Sequence, residues 1–204
     1  MMQAQVRHKE GTEVSDSNYQ LSLDTEAARA LREVRAAIES VSEAELDAVA
    51  SELLAARRIA CYAGGREGLV MRALVMRLFH AGLDAHVVGD MTCPAVGVGD
   101  LVILSCGPGG VAINEALAEV AHDSGARLLY FTAQPEASPA HLADHIAAIA
   151  AQTMADDSGS TAILPMGSAY EIALFVIADL VTNRVRAARH ESLEDMRARH
   201  TNLE

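Results

Sequence analysis

Apolar residues recur at helical spacing from Thr25 to about Glu39, at Ala28, Leu31, Val34, Ala37 and Ile38. That spacing predicts a helix with one buried stripe. Ser42-Glu43-Ala44-Glu45 opens a second helix: Ser42 has cap chemistry and Glu45 follows three residues on, the spacing of a capping box. Its stripe is Leu46, Val49, Leu53 and Leu54. Beyond it the pattern alternates. Short continuous apolar runs at Ile59–Ala63, Ala85–Val88, Leu101–Ser105, Arg127–Thr132 and His145–Ile149 read as five strands. Helical stripes separate or follow them: one after Gly64-Gly65 through Leu69, Leu74, Leu78 and Phe79, one over 111–123, a strongly apolar one from Glu171 to about Arg189, and a short one from Leu193 to Arg199. Residues 133–144 read as a loop with a short helical piece. Residues 152–164 read as a loop, with Asp156-Asp157-Ser158-Gly159-Ser160 its most polar part.

Strands alternating with helices predict a parallel sheet covered on both faces, a three-layer α-β-α sandwich. The strand runs are continuously apolar rather than alternating, as doubly covered strands are. The expected strand order is 2-1-3-4-5, as in flavodoxin-like folds. Ligands in such sheets sit outside the carboxyl ends of the strands where the order reverses, here between strands one and three. The loops at that point are Gly64-Gly65-Arg66-Glu67-Gly68 and Ser105-Cys106-Gly107-Pro108-Gly109-Gly110. Both are rich in glycine and both lead into helices, whose N-termini favour anions. Residues 1–22 carry few apolar residues and are expected to form a flexible arm. Residues 23–204 are expected to form one domain, with two N-terminal helices and a C-terminal helical tail carrying His200.

Composition narrows the partners. Half of the 204 residues are hydrophobic, but only 3% are aromatic and there is no Trp. The core must therefore be built from Ala, Val, Leu, Ile and Met. A formal net charge of −12 opposes nucleic acid and anionic membrane surfaces, which need clustered Lys and Arg. No run approaches the roughly 20 apolar residues of a membrane helix, and residues 1–22 lack the apolar stretch of a signal peptide. A cytoplasmic protein is expected. Cys61, Cys93 and Cys106 lack metal-ligand spacing. His141 and His145 straddle a loop-to-strand junction rather than one helix face. No metal site and no cofactor are expected. Cys61 reads as a strand residue, and Cys93 and Cys106 as small loop residues near the pocket.

The candidate chemistry lies late in the chain. Glu171 opens the long apolar helix behind Pro165-Met166-Gly167-Ser168, and His200 and Asn202 stand in Arg199-His200-Thr201-Asn202-Leu203-Glu204. A carboxylate and an imidazole suffice to move a proton between carbon and oxygen atoms of a sugar. Glu171 equally suits the positive end of its helix, and a terminal His equally suits a solvated tail.

These segments, with Gly65-Arg66-Glu67-Gly68, Met76-Arg77-Leu78-Phe79-His80, Val88-Gly89-Asp90-Met91-Thr92-Cys93-Pro94 and Gly99-Asp100-Leu101, stand in a specific order. Over roughly residues 25–204 the chain resembles the sugar isomerase (SIS) domain family, in its 6-phospho-3-hexuloisomerase branch. The resemblance implies an α-β-α sandwich, a homo-oligomer that is a tetramer with active sites shared between subunits, and isomerisation of a sugar phosphate through an enediolate without a metal. By that resemblance Glu171 is the catalytic base and His200 serves the sugar oxygens or ring opening. Gly65, Arg66, Glu67, Thr92, Ser105, Gly107, Gly109, Gly110 and Asn202 stand at substrate-binding positions.

The chain departs from the family pattern in two loops. The family's Gly-Arg-Ser-Gly has Glu67 in place of its Ser. Its Ser-Gly-Ser-Gly-Glu-Thr, whose hydroxyls hold the phosphate, is here Ser105 to Gly110, which keeps only the first hydroxyl. Two unit charges about 4 Å apart interact by about 4 kcal/mol at an effective dielectric near 20. Glu67 is thus expected to repel a dianion, unless it points outward or binds a hydroxyl or amine. An isomerase of a non-phosphorylated or differently charged ketose, or a non-catalytic sugar-phosphate-binding module, stays open beside the phosphosugar isomerase.

Overall fold

The computed structural model describes residues 16–203 other than Ser138. Of the expected arm over 1–22, residues 1–15 lie outside the described residues. From Asp16 the backbone is already helical, so α1 spans Asp16–Glu39 and starts nine residues before the apolar stripe at Thr25. Asp16 and Ser17 are residue types that suit a first helical turn, a start signal that apolar spacing does not register. α2 spans Glu43–Ala55, and the Ser42 hydroxyl accepts from the Glu45 backbone N–H at 3.1 Å.

The alternating part follows as β1 (Ile59–Ala63), α3 (Gly65–His80), β2 (Ala85–Val87), β3 (Leu101–Ser105), α4 (Ala112–Ser124), β4 (Arg127–Thr132), β5 (His145–Ala148), α5 (Ser168–Ala188) and α6 (Leu193–Ala198). A single 3-10 turn at Ala140–Leu142 is the short helical piece expected before β5. The five strands are all parallel in the order β2-β1-β3-β4-β5. The pairing Ala63↔Ser105 brings the carboxyl ends of β1 and β3 side by side.

The two faces of the sheet are covered unequally. Ile103 and Leu104, neighbours on β3, point to opposite faces and are both fully buried. Ile103 joins the larger core with Leu53, Met71, Leu74, Tyr170, Leu174 and Ile177 from α2, α3 and α5. Leu104 joins a smaller one with Leu128, Tyr130, Ala118 and Ala121, against α4. Burying each such Leu or Ile contributes about 1.5–3 kcal/mol. The Gly99-Asp100-Leu101 segment has a structural use: the buried Asp100 carboxylate accepts from Arg57 at 2.8 Å and from the Gly97 N–H at 2.9 Å, fixing the entry to β3. No helix among the described residues is long and apolar enough to cross a membrane.

Candidate active site

β1 ends at Ala63 and α3 begins two residues later, so its first turn sits over the carboxyl edge of the sheet. Gly65 has φ +56, and a Cβ on Gly68 would stand 2.6 Å from the Ala63 carbonyl oxygen. The glycines therefore let the helix start directly on the strand end, which aims Glu67 at the loop after β3. The Glu67 carboxylate accepts from the Ser105 hydroxyl at 2.5 Å and from the Gly107 N–H at 2.9 Å. The Ser105 hydroxyl also lies 3.1 Å from the Tyr170 hydroxyl, and Asn114 of α4 donates to the Ser105 carbonyl at 3.2 Å. Burial raises the Glu67 pKa; the bonds from Ser105 and Gly107 oppose this, and the Glu171 charge adds to it. The expectation that Glu67 points outward or repels whatever lies beside it needs correction, because its charge is satisfied inside the protein by these two donors.

α5 begins at Ser168, after Met166 at φ 56 and Gly167 at φ 84. A methionine in the left-handed region is strained, and this turn sets the angle at which α5 leaves the loop. Glu171 falls in the first helical turn, its side chain only 14% exposed, with Oε2 3.0 Å from Arg66 Nη2. That oxygen is buried and takes no aligned hydrogen bond among the described residues, so the ion pair leaves lone-pair density available. Burial raises the Glu171 pKa, and Arg66 opposes it. Arg66 also donates to the Ser168 hydroxyl at 3.0 Å.

Gly65, Arg66, Glu67, Ser105, Gly107 and Glu171 all line one cavity of about 290 Å³, at the expected crossover between β1 and β3. The other predicted residues do not join them. Gly109 and Gly110 stand off the cavity wall; the Gly109 N–H bonds to the Cys106 carbonyl at 3.0 Å, and Gly110 faces solvent. Thr92 is exposed in the loop after β2, and Asn202 is exposed in the tail. His200 stacks on His80, ring centroids 5.1 Å apart, at the C-terminal end of α3. Arg66 and His80 are fourteen residues apart on that helix, about 21 Å at 1.5 Å per residue. Within one chain His200 therefore cannot reach the cavity that holds Glu171. Arg199, beside it, pairs with Glu191 at 2.8 and 2.9 Å and donates to the His80 carbonyl, which anchors the tail.

Sequence reasoning missed Tyr170, Asn114, Thr153, Met154 and Met166 on the cavity wall. Tyr170 immediately precedes Glu171, a signal that was available. Thr153 and Met154 lie in a stretch whose only signal was polarity. Cys106 lines the cavity, but burial and the Glu67 charge push its thiol up to about 11, so it is neutral and unreactive near neutral pH.

No family model matches the chain. Curated relatives do. It is 34% identical over 164 residues to a 3-hexulose-6-phosphate isomerase of Mycobacterium gastri, covering 80% of this chain and 82% of that one. It is 33% identical over 181 residues to the enzyme of the same name from Bacillus subtilis (strain 168), covering 87% and 96%. Among solved structures, a Methanococcus jannaschii protein whose structure led to an inferred 3-hexulose-6-phosphate isomerase function superimposes with a TM-score of 0.77 at 22% identity, covering 88% of this chain and 99% of that one. An Escherichia coli CFT073 protein solved in complex with a sugar phosphate gives 0.74 at 20% identity, covering 92% and 100%. The structural likenesses establish the fold and the sequence identities establish the kinship: the chain belongs to the 3-hexulose-6-phosphate isomerase family of SIS-type sugar isomerases.

Proposed function

We propose that the protein isomerises a phosphorylated ketose, as between 3-hexulose 6-phosphate and fructose 6-phosphate, by proton transfer through an enediolate, with Glu171 as the base. The observation that carries this is the Glu171 carboxylate itself, buried at the wall of the cavity, with a raised pKa and an oxygen that takes no hydrogen bond. In that reaction Glu171 takes the proton from the hydroxyl-bearing carbon next to the carbonyl and returns it to the former carbonyl carbon. The hydroxyl oxygen on the first carbon loses its proton and becomes the new carbonyl; the old carbonyl oxygen gains one. Arg66, 3.0 Å from Glu171, aims the carboxylate and stands where the negative oxygen of the enediolate develops.

The protons at oxygen need a second group, and His200 of a neighbouring copy fits that need. Two observations support it: the roughly 21 Å between the ends of α3, and the exposed Leu69, Phe79, Ile172 and Phe175 on the α3–α5 face. A shared-site homo-oligomer, tetrameric by resemblance to the family, follows from this reading. The three free thiols support residence in the reducing cytoplasm.

The test is hydrogen exchange in D2O by NMR with fructose 6-phosphate. Wild type should exchange the proton on the carbon next to the carbonyl, and Glu171→Gln should lose at least about a hundredfold, the usual worth of a general base, with an unchanged Tm. No exchange from the folded wild-type oligomer would overturn the reading.

A further inference from the structure

The cavity contains an oxyanion already, and it belongs to the protein. The Ser105 hydroxyl and the Gly107 N–H, at the carboxyl end of β3, both donate to the Glu67 carboxylate, one to each oxygen. A hydroxyl and a backbone N–H converging on two oxygens of one anion is how an external phosphate or sulfate is gripped. The loop offers little to replace these donors. Pro108 has no N–H, and the Gly109 N–H is committed to the Cys106 carbonyl. A side chain at Gly107 has no room, since a Cβ there would stand 3.0 Å from the Tyr170 ring.

The geometry points to Glu67 as a tethered competitor: its carboxylate occupies the place of the substrate's phosphate on Ser105 and Gly107, and a phosphorylated ligand binds only by displacing it. This rests on the proposed function for the identity of the incoming group as a phosphate. The competition itself concerns any oxyanion.

The surroundings sharpen it. Facing Glu67 are Tyr170 and Glu171 of α5, Cys106 after β3, Tyr130 of β4, and Arg66 beside it on α3. The thiol and both phenols are neutral near neutral pH, so the charges are two carboxylates against one guanidinium, which Glu171 already holds. A dianion entering this cavity meets a net negative wall until Glu67 swings out or takes a proton. Oxyanion affinity should therefore rise as the pH falls toward the range in which Glu67 protonates. The residue acts as a specificity filter that no serine at this position could provide.

The experiment is calorimetric binding of fructose 6-phosphate and of inorganic sulfate to wild type, Glu67→Ser and Glu67→Gln, at about pH 8 and about pH 6. Sulfate keeps the same charge across that range, unlike phosphate, whose second pKa is about 6. The expected result is tighter binding of both ligands to Glu67→Ser than to wild type at the higher pH, by about tenfold or more. For sulfate the gap should narrow at the lower pH through a gain by wild type. Glu67→Gln keeps the side chain's bulk without its charge, so it should bind between the two. If Glu67→Ser fails to fold, the Gln variant still reads the charge. Equal affinities in wild type and both variants would overturn the competition and leave the isomerase reading untouched. Binding by none of the three proteins would also overturn it, because the two donors would then be no oxyanion site with or without Glu67. Tight binding to Glu67→Ser with no isotope exchange in any form would support the competition and remove the isomerase reading.

Discussion

Glu171 and Arg66 set the chemistry at the scale of single residues. Burial holds the Glu171 pKa above its ordinary value and Arg66 pulls it back. The base works deprotonated, so activity falls as pH drops through the folded pKa. Replacing Arg66 by Gln removes the opposing charge and lets burial dominate. The acid limb of kcat/KM should then move to higher pH, together with a lower kcat as the carboxylate loses its aim. A profile with an unmoved acid limb would show that Arg66 does not govern this ionisation. Gly68 shows how little side-chain chemistry some motif positions need: its role is the 2.6 Å approach to the Ala63 carbonyl oxygen, which leaves no space for a Cβ.

At the scale of elements, function depends on how three helices end or begin. α3 starts on the strand edge and delivers Arg66 and Glu67; α5 starts after two left-handed residues and delivers Glu171. α6 is six residues long and held by a capping box, in which the Ser192 hydroxyl accepts from the Asp195 N–H while the Asp195 carboxylate accepts from the Ser192 N–H at 2.8 Å. Ser192→Ala should cost about 1 kcal/mol of local stability, too little to unfold the domain. It should nonetheless lower kcat several-fold, because α6 carries the tail that positions His200. A variant with full activity and the expected fraying of α6 would separate the tail from catalysis.

At the scale of the whole molecule, the distance between Glu171 and His200 turns catalysis into a property of the assembly. Glu171→Gln and His200→Ala should each be nearly inactive alone. Mixed one to one and allowed to exchange subunits, random pairs would regain about a quarter of wild-type activity, since half the pairs are hybrids and each hybrid holds one intact site of two. Failure to regain activity despite demonstrated exchange would place His200 outside the neighbour's cavity. The exposed apolar side chains on α3 and α5, Phe175 and Leu69 among them, are where the contact between copies is expected.

The sequence by itself determined the elements and their order. Apolar runs such as Leu101–Ser105 and stripes such as Leu46, Val49 and Leu53 follow from local periodicity, which burial on two faces or one stripe imposes directly. It also determined where the cavity would lie, because a 2-1-3-4-5 sheet has one crossover and the glycine-rich loops mark it. Glu171, Arg66 and Ser105 were legible for that reason. The tertiary structure alone decided what each side chain faces there. Glu67 and Ser105 are 38 residues apart, and only the pairing of β1 with β3 turns a carboxylate that looked repulsive into one bound by two donors. Thr92 and Asn202 carried the right residue types yet face solvent, because hydrogen-bonding capacity is written in the sequence but direction is not. His200 stands apart from Glu171 for the same reason. The length of α3 is a local property, but which copy's cavity the far end of that helix meets is settled by packing.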